Sequence, residues 1–360
     1  MRITIFIGSL YGGGAERVVC NLANYLVAQG HHTEILTMSE TEKTYELDEK
    51  VTVKSLLALK ERKGTIKNML TRLPRLWKYL KTREKDIYVV MLPKTTIMLL
   101  MFRLMIKARV IAAERNDSAS YSTSIANMLK KLAPKADGWV FQTEDAKKWY
   151  GEAISNCKSI VIPNAVNPAF IRHRYTGEKR KVIAGAGRLD SQKNFTLLIE
   201  AFSKIAEDFS DYKLTIYGKG NEEVSLKEFA KKLNLQDRVE FPGNIQNLAE
   251  KMERNSLFVL SSDFEGMPNA LMEAMALGLP CISTDCPCGG ARFLIDDGVN
   301  GLLVPVGDAE EMSKAMRRLL ENQEYANRLG NEAAKISERL APEKIYGQWE
   351  DFIKSVVEKD

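Results

Sequence analysis

The sequence predicts an α/β protein with two domains, each a doubly wound parallel sheet. The chain has 360 residues, 45% of them hydrophobic, and exceeds the size at which a single core usually stops growing. Short apolar runs typical of buried strands alternate with helical patterns along the chain. Between 167 and 180 a polar stretch interrupts this alternation, and its apolar residues follow neither the helical nor the strand repeat. This stretch predicts the join between the domains.

The first half opens with a strand at 3–7, a glycine turn and a helix over 15–28 whose apolar residues recur at helical spacing. Further strands are predicted at 34–38, 87–92, 110–113, 138–142 and 159–162. Strands separated by helical patterns are typical of a parallel sheet covered by helices on both faces.

The second half repeats this pattern. Its strands are predicted at 182–186, 213–217, 239–241, 257–261, 281–284 and 301–304. A helical pattern over 342–357 then places several large apolar residues on one face, and a terminal helix of this kind must dock on another surface. These residues are Tyr346, Trp349, Phe352, Ile353 and Val356.

The composition excludes several classes of protein. Five cysteines, an odd number lying mostly in apolar runs, favour reduced thiols and a cytoplasmic setting. Cys286 and Cys288 are too closely spaced for a zinc site and the three histidines are scattered, so we expect no structural metal. The N-terminus lacks the apolar core of a secretory signal, and the longest apolar stretch, 97–106, is about half of the ~20 residues needed to span a bilayer.

Charge is distributed unevenly. Residues 1–175 carry 28 Lys or Arg against 16 Asp or Glu, a net charge of +12, so the remainder must carry −7 to give the total of +5. Ten basic residues lie within 60–85, where apolar residues recur at helical spacing, which predicts a basic amphipathic helix. One interpretation is a solvated helix that covers the first sheet. The other, which we favour, is a helix that lies on an anionic membrane, where each basic residue contributes about 1 kcal/mol of attraction to the lipid headgroups. Nucleic acid is not expected, because stacking aromatics there are limited to Trp77 and Tyr79.

The segment 262–280 contains a predicted anion site. Pro268 suits the first position of a helix, so we expect a helix to begin at Met267 or Pro268 and to point the free amides of Asn269 and Ala270 outward. Amides at the positive end of a helix bind anions, and a diphosphate is the occupant expected beyond the carboxyl end of a strand.

Charged side chains surround this site. Glu265 and Glu273 flank it, and carboxylates can accept hydrogen bonds from sugar hydroxyls on either side of a diphosphate. The alternative is that Glu265 caps a loop and Glu273 is a solvated helix position. Arg188 and Lys193, in the turn after the first strand of the second half, could hold the diphosphate without a metal, although either alone could equally be a surface base.

Several short motifs together resemble family 4 of the retaining glycosyltransferases with the GT-B fold, over nearly the whole chain. They are Gly12-Gly13-Gly14-Ala15-Glu16-Arg17, Ile162-Pro163-Asn164-Ala165-Val166, Arg188-Leu189, Lys193-Asn194, Gly218-Lys219-Gly220, Phe241-Pro242-Gly243 and the array from Glu265 to Glu273. The resemblance implies two Rossmann-like domains facing across a cleft. The acceptor-binding domain covers 1–170, with the C-terminal helix 342–360 docking back on it, and the nucleotide-sugar-binding domain covers 171–341.

By this resemblance the donor is bound mainly by the second domain. Arg188 and Lys193 bind the diphosphate, Glu265 the transferred sugar and Glu273 the ribose, and the first three count as catalytic. The backbone around two residues meets the base, and a further segment contacts the sugar and phosphates. These are Asn244 and Ile245 for the base and Gly266, Met267, Pro268, Asn269 and Ala270 for the sugar and phosphates.

The glycine turn after the first strand is not a dinucleotide fingerprint. Arg17 stands where a third glycine would be, and the second strand does not end in an acidic residue. In the family this loop faces the cleft, which makes Gly13 and Gly14 donor contacts and Ala15 an acceptor contact. Arg17 could pair with a phosphate of the acceptor.

Glu114, Arg115 and Asn116 follow a predicted strand at its carboxyl end, where doubly wound folds place functional side chains. Many members of the family have Glu-His here, so Arg115 in place of histidine prevents a direct transfer of that role. We expect Glu114 and Arg115 as catalytic candidates and Asn116 as an acceptor contact. The alternative is a loop that satisfies its own backbone through Asn116 and Asp117.

The predicted function is a retaining hexosyltransferase that moves a hexose or N-acetylhexosamine from a UDP-sugar to a lipid-linked saccharide in surface glycan assembly. We expect neither a cofactor nor a metal, because the chain has no Asp-x-Asp motif at a strand end. The predicted location is cytoplasmic and peripheral on the inner face of the cell membrane. The alternatives are a soluble enzyme with a small-molecule acceptor and a non-catalytic membrane-associated protein of the same fold.

Overall fold

The computed structural model describes residues 1–42, 44–83, 86–173, 175 and 177–358. The chain divides into two compact units. The first comprises Met1–Asn164 with the segment from Glu343 onward, and the second comprises Ala165–Pro342. The sequence places these divisions at 170/171 and 341/342. Seven residues of the predicted domains lie outside the described residues, namely 43, 84, 85, 174, 176, 359 and 360.

The first unit is built on a seven-stranded sheet whose paired strands are parallel. Its strands are β1 (Arg2–Ile7), β2 (His32–Thr37), β3 (Thr52–Ser55), β4 (Ile87–Met91), β5 (Arg109–Ala113), β6 (Gly138–Phe141) and β7 (Lys158–Val161). Their order is β3-β2-β1-β4-β5-β6-β7, which reverses between β1 and β4. The helices of this part are α1 (Gly14–Ala28), α2 (Thr65–Thr82), α3 (Pro93–Met101), α4 (Thr123–Leu132) and α5 (Glu144–Tyr150).

The second unit is built on a six-stranded parallel sheet. Its strands are β8 (Arg180–Ala186), β9 (Lys213–Tyr217), β10 (Val239–Gly243), β11 (Asn255–Leu260), β12 (Cys281–Thr284) and β13 (Leu302–Val304). Their order is β10-β9-β8-β11-β12-β13, which reverses between β8 and β11. The helices are α6 (Pro168–Ile171), α7 (Phe195–Ser203), α8 (Glu223–Lys232), α9 (Leu248–Met252), α10 (Asn269–Ala276), α11 (Gly290–Leu294), α12 (Ala309–Glu321), α13 (Gln323–Ala333) and α14 (Ile336–Arg339).

The last helix, α15 (Pro342–Val357), packs on the first unit, which confirms the predicted docking of the terminal helix. Its Trp349 is fully buried. A Cβ built on Gly138 would lie 2.9 Å from Val356 Cγ2 and 3.1 Å from Phe352 Cζ, so the absence of a side chain on β6 lets the helix approach the sheet.

Two elements differ from the sequence-based expectation. The strand β3 was not predicted, because Thr52–Ser55 is a short edge strand that is mostly exposed and lacks an apolar run. The predicted basic helix over 60–85 is shorter than expected. It begins at Thr65, after a short 3₁₀ turn over Leu59–Glu61, and positions 84 and 85 lie outside the described residues.

All five cysteines lie among the described residues, and no disulfide bond joins any two of them. Over the described parts of the chain, no helix combines the length and the apolar character needed to cross a membrane.

Candidate active site

Two loops leave the second sheet side by side at its centre. β8 and β11 are neighbours at the point where the strand order reverses, the usual position of a ligand site in a doubly wound sheet. The 188–194 loop follows β8 and the 261–268 loop follows β11. A Cβ on Gly218 would lie 1.8 Å from the carbonyl oxygen of Gly187, so glycine permits the close backbone approach at the start of the first loop.

An ion pair joins the two loops. Lys193 Nζ donates to Glu265 Oε1 at 2.5 Å, and the side chains are 14% and 8% exposed. The same Oε1 accepts a hydrogen bond from the buried hydroxyl of Ser262 at 2.8 Å. The pairing offsets part of the cost of removing both charges from water. The structure therefore brings the predicted phosphate-binding lysine into contact with the predicted sugar-binding glutamate.

Three more hydrogen bonds hold the loops together. Gln192 Nε2 donates to the carbonyl oxygen of Phe264 at 2.9 Å, and its own carbonyl accepts from the amide of Asp263 at 2.9 Å. Asn194 Nδ2 donates to Asp263 Oδ1 at 2.8 Å. Asn194 has a left-handed backbone, with φ of 43°, and its side chain caps α7. Backbone and side-chain hydrogen bonds therefore hold together the two loops that carry the ion pair.

Arg188 stands apart from this pair. Its side chain is 72% exposed, and Nη2 lies 3.4 Å from Asp190 Oδ2. The sequence predicts that Arg188 and Lys193 share one crevice. The structure places both on the same loop, with Lys193 held by Glu265 and Arg188 directed to solvent. An exposed guanidinium retains its donors for an incoming anion.

The helix after Glu265 begins slightly later than predicted. α10 begins at Asn269, and Pro268 is its N-cap with extended backbone instead of its first helical residue. Glu273 is 7% exposed, so it is not the solvated helix position of the alternative interpretation, and Glu265 is 6% exposed. Gly266, Met267 and Pro268 are buried, whereas the first two helical residues, Asn269 and Ala270, are half-buried.

The residues predicted to meet the base lie farther along the sheet. Asn244 and Ile245 follow β10, which is separated from β8 by β9. Asn244 is exposed and Ile245 half-buried. The carbonyl oxygen of Gly243 accepts a hydrogen bond from the amide of Gly218 at 3.0 Å, which connects the end of β10 to the turn after β9.

In the first unit, Glu114 is enclosed by hydrogen-bond donors. Its Oε1 accepts from the Tyr121 hydroxyl at 2.5 Å and from the amides of Arg115 and Asn116 at 3.0 and 3.2 Å, and its Oε2 accepts from the Tyr150 hydroxyl at 2.8 Å. Glu114 is 3% exposed, and burial raises its pKa above the ordinary value although these donors lower it. As in the alternative interpretation, the loop satisfies part of its own backbone, because Asp117 Oδ1 accepts from the amide of Ala119 at 3.0 Å. Glu114 adds to this by accepting from the amides of Arg115 and Asn116.

Arg115 is a buried cation. It is 6% exposed, and burial lowers its pKa to about 10. Its Nη2 donates to Asn164 Oδ1, which also accepts from Gln142 Nε2 at 2.9 Å, while its Nε and Nη1 have no hydrogen-bond partner within the described residues. The guanidinium lies 5.8 Å from the centroid of the Trp349 ring. Arg115 therefore contacts α15 and the end of the first unit.

The charge of the predicted acceptor contact Arg17 acts on Tyr346 of α15, as does that of Arg115. Burial raises the pKa of Tyr346, and the charges of Arg17 and Arg115 lower it. Gly13 is the N-cap of α1 and has extended backbone. Its carbonyl oxygen accepts from the Tyr45 hydroxyl at 3.1 Å. Gly14 and Ala15 form the first residues of α1.

The chain is similar to known glycosyltransferases over both units. The family described as "Glycosyltransferase Family 4" matches residues 12–170, and "Glycosyl transferases group 1" matches residues 169–336. A relative from Campylobacter jejuni, N-acetylgalactosamine-N,N'-diacetylbacillosaminyl-diphospho-undecaprenol 4-alpha-N-acetylgalactosaminyltransferase, is 30% identical over 363 residues, covering 96% of this chain and 97% of the relative. The chain belongs to family 4 of the glycosyltransferases.

Two further proteins resemble this glycosyltransferase. A second Campylobacter jejuni relative, GalNAc-alpha-(1->4)-GalNAc-alpha-(1->3)-diNAcBac-PP-undecaprenol alpha-1,4-N-acetyl-D-galactosaminyltransferase, is 26% identical over 360 residues, covering 99% of each chain. Among solved structures, Anabaena HepE in complex with UDP and glucose has a TM-score of 0.84 at 19% identity, covering 99% of this chain and 100% of that one. The latter confirms the predicted GT-B fold.

Several residues that shape the site of this glycosyltransferase are not among the predicted site residues. Ser262, three residues before Glu265, could have been found from that spacing, which suits a side-chain hydrogen bond across a turn. Tyr121 and Tyr150, which enclose Glu114, are too far apart in sequence to give a signal. Cys286 also acts near the ion pair: burial and the charge of Glu265 raise the pKa of its thiol to about 12, so it remains protonated.

Proposed function

We propose that this glycosyltransferase moves a hexose or N-acetylhexosamine from a UDP-sugar to a lipid-linked saccharide with retention of configuration, during assembly of a surface glycan. The observation that carries this proposal is the Lys193–Glu265 pair at the strand-order reversal of the second sheet. It offers a cation for a diphosphate beside a carboxylate for sugar hydroxyls.

On the donor side, Arg188 and Lys193 bind the diphosphate and Glu265 accepts from hydroxyls of the transferred sugar. Lys193 has three donors, of which Glu265 uses one, so the same ammonium can also contact a phosphate oxygen. Glu273 accepts from the ribose. The backbone of 266–270 contacts the sugar and phosphates, and that of Asn244 and Ile245 meets the base.

In the chemical step the bond between the sugar C1 and the β-phosphate oxygen breaks and a bond from the acceptor oxygen to C1 forms on the same face. The acceptor proton passes to the departing phosphate oxygen, so no separate base is required. Negative charge grows on the diphosphate, where the fixed cations Arg188 and Lys193 stabilise it more in the transition state than in the ground state. We propose that these cations make a metal ion and any cofactor unnecessary.

The similar proteins support the proposed donor, acceptor and stereochemistry. The names of both Campylobacter jejuni relatives specify an alpha linkage and a carrier with undecaprenol. HepE binds UDP and glucose. UDP-hexoses carry an α-linked sugar in general, so an α-linked product is the retained configuration. We propose a lipid-linked acceptor for this chain because the names of both Campylobacter jejuni relatives include undecaprenol.

The acceptor is proposed to bind the first unit through Gly13, Gly14, Ala15, Arg17 and Asn116. Arg17 pairs with an acceptor phosphate, a role to which a bidentate guanidinium is suited. Glu114 and Arg115 stay catalytic candidates by prediction, and their burial favours a positioning role for them.

We also propose that the protein is cytoplasmic and binds the inner face of the cell membrane through its basic helix. The structure restricts which cations are available. Arg72, Arg75 and Arg83 are bonded to groups within the first unit, to Met38, Glu61 and Glu34 among others. The lysines that the structure describes in this region are exposed, namely Lys60, Lys63, Lys67, Lys78 and Lys81.

The donor site is tested by removing each charge of the pair. Lys193→Ala and Glu265→Ala are expected to lower kcat/KM for the UDP-sugar by about a hundredfold to a thousandfold, because each removes a contact to a charged or hydroxyl-rich group in the transition state. Lys213→Ala is the matched control. Lys213 pairs with Glu240 at 2.6 Å on the same sheet, but the two side chains are 51% and 49% exposed.

The measurement is transfer from a panel of UDP-sugars to a lipid-linked saccharide, with and without a chelator, and with the anomeric configuration read by NMR. Unchanged activity of either variant would refute the donor site. An inverted product would refute retention, and loss of activity with a chelator would refute metal independence.

A further inference from the structure

The two ends of α2 are in different environments. Near its C-terminal end Leu76 and Leu80 are buried, and the Tyr79 hydroxyl donates to the buried Glu34. At its N-terminal end the apolar side chains face solvent, with Ile66 76% exposed and Leu70 65% exposed. The helix is therefore attached to the first unit by its C-terminal half, while its N-terminal half presents an uncovered apolar face.

A second exposed apolar segment lies beside this helix. The ring of Trp77 on α2 stacks on that of Phe102 with centroids 5.6 Å apart. Just beyond Phe102, Leu104 is 82% exposed and Met105 is 60% exposed. The helical spacing of Ile66, Leu70 and Trp77 places these side chains on one side of α2, so the ring contact connects both segments.

We call this surface the apolar strip. It consists of the exposed residues Ile66, Met69, Leu70, Met101, Leu104 and Met105 with the half-buried rings of Trp77 and Phe102. Scattered exposed apolar residues are ordinary on a protein surface, but a connected group of this size marks a site of interaction with a protein or a membrane.

The charges beside the strip indicate whether its partner is a protein or a membrane. Lys63, Lys67 and Lys107 are exposed and adjoin the strip in sequence. A second copy of the chain would bring the same lysines against these, and the like charges would repel. An anionic lipid surface complements both features, because lysine side chains extend to headgroups while apolar side chains enter the acyl boundary.

We propose that the apolar strip inserts into the interfacial layer of an anionic bilayer, with Leu104 and Met105 as a second insertion point beside α2. This inference rests on the proposed function in taking the lipid carrier's membrane as the partner. It differs from attraction to a basic helix alone, because a large part of the binding comes from apolar burial and is insensitive to salt.

The test uses the full chain and vesicles of phosphatidylglycerol mixed with phosphatidylcholine, at low and high salt. Wild type is expected to bind at low salt and to keep measurable binding at high salt. Leu104→Glu with Met105→Glu is expected to weaken binding at least tenfold at either salt concentration, and Ile66→Glu with Leu70→Glu to do the same. Val224→Glu, at a position 69% exposed in the second unit, is the control and should bind as wild type.

Binding by both double variants that equals wild type, or complete loss of wild-type binding at high salt, would overturn the proposal. A wild-type dimer in solution that the double variants convert to a monomer would overturn it in favour of a protein interface. Thermal unfolding checks that the variants are folded.

Different results would contradict the apolar strip and the lipid-linked acceptor. Hydrolysis of the UDP-sugar, which needs only the donor site, should be the same in both double variants as in wild type. Vesicle binding without transfer to a lipid-linked saccharide would refute the acceptor and leave the strip in place. Transfer to such an acceptor without vesicle binding would refute the strip and leave the acceptor in place.

Discussion

Each of the two sheets has an acidic and a basic residue at the carboxyl ends of its strands. The two pairs differ in the groups that contact each charge. In the second unit, Lys193 and Glu265 come from different loops and neutralise each other. In the first unit, Glu114 and Arg115 are neighbours in the chain that are held apart. Tyrosines and amides enclose the carboxylate, and Asn164 and an indole ring contact the guanidinium.

The difference distinguishes a charged group that can still bind a ligand from one whose hydrogen bonds all stabilise a loop. Lys193 retains donors beyond its bond to Glu265, so a phosphate can bind without breaking the fold. Glu114 uses both oxygens for four protein donors, so a ligand could reach it only by displacing one of them. Burial at the end of a strand therefore does not by itself identify a catalytic group.

The largest expected effect comes from exchanging the charges of the second pair. Lys193→Glu combined with Glu265→Lys preserves the attraction between the loops but places each charge where the ligand needs the opposite one. We expect the melting temperature to stay near that of wild type while kcat/KM falls by at least about a thousandfold. Thermal unfolding and transfer assays check this, and an active swapped variant would show that the pair only joins the loops.

The opposite result is expected for the first pair. Glu114→Ala leaves two phenols and two amides without their acceptor, which we expect to lower the free energy of unfolding by about 3 kcal/mol or more. Urea unfolding measures this loss. Glu152→Ala, at an exposed acid of the same unit, is the control and should change little. A stable but inactive Glu114→Ala enzyme would instead favour the catalytic role predicted from the sequence.

A smaller effect is expected at Ser262, whose hydroxyl holds Oε1 of Glu265. Ser262→Ala removes one hydrogen bond to a charged group, worth about 1.5–3 kcal/mol, so kcat/KM for the UDP-sugar should fall roughly tenfold to a hundredfold. Ser256→Ala, on β11, loses a hydrogen bond to the backbone carbonyl of Arg180 on β8 and should have wild-type kinetics. Equal kinetics for both variants would show that Ser262 does not position Glu265.

The smallest effect is a pH dependence of stability. Burial raises the pKa of Glu114 above its ordinary value of 4.5, so its proton is bound more tightly in the folded chain than in the unfolded one. The resulting stabilisation is complete below pH 4.5 and is lost as the pH rises through the raised pKa, by about 1.4 kcal/mol for each unit of the rise. Glu114→Gln removes this dependence. Urea unfolding across this range should show wild type losing stability relative to the variant, and parallel curves would contradict the raised pKa.

Most of the architecture could be predicted from the sequence because it depends on local patterns. Every predicted strand is present, and the terminal helix docks through the apolar residues that predicted it. The edge strand β3 could not be predicted, since its backbone pairing with β2 gives no apolar run. The sequence predicts that α10 begins at Met267 or Pro268, one or two residues early. The helix begins at Asn269 because Pro268 has the extended backbone of a cap.

Within the site, residue types could be predicted but not their partners. The sequence predicts Lys193 and Glu265 as separate ligand contacts. Their contact with each other depends on the adjacency of β8 and β11, which no local pattern encodes. The net charge of 60–85 likewise could not reveal that Arg72, Arg75 and Arg83 are bonded to groups inside the first unit. Partners distant in sequence are determined only when the sheet is assembled.

The packing of α15 against Gly138 also has a consequence for synthesis. A chain emerging from the ribosome has released all seven strands of the first sheet by residue 161, yet the helix that covers β6 appears only after residue 342. The second unit lies between these points and is complete before that helix. The first unit can therefore complete its packing only after the second unit has been synthesised, although N-terminal domains generally fold first.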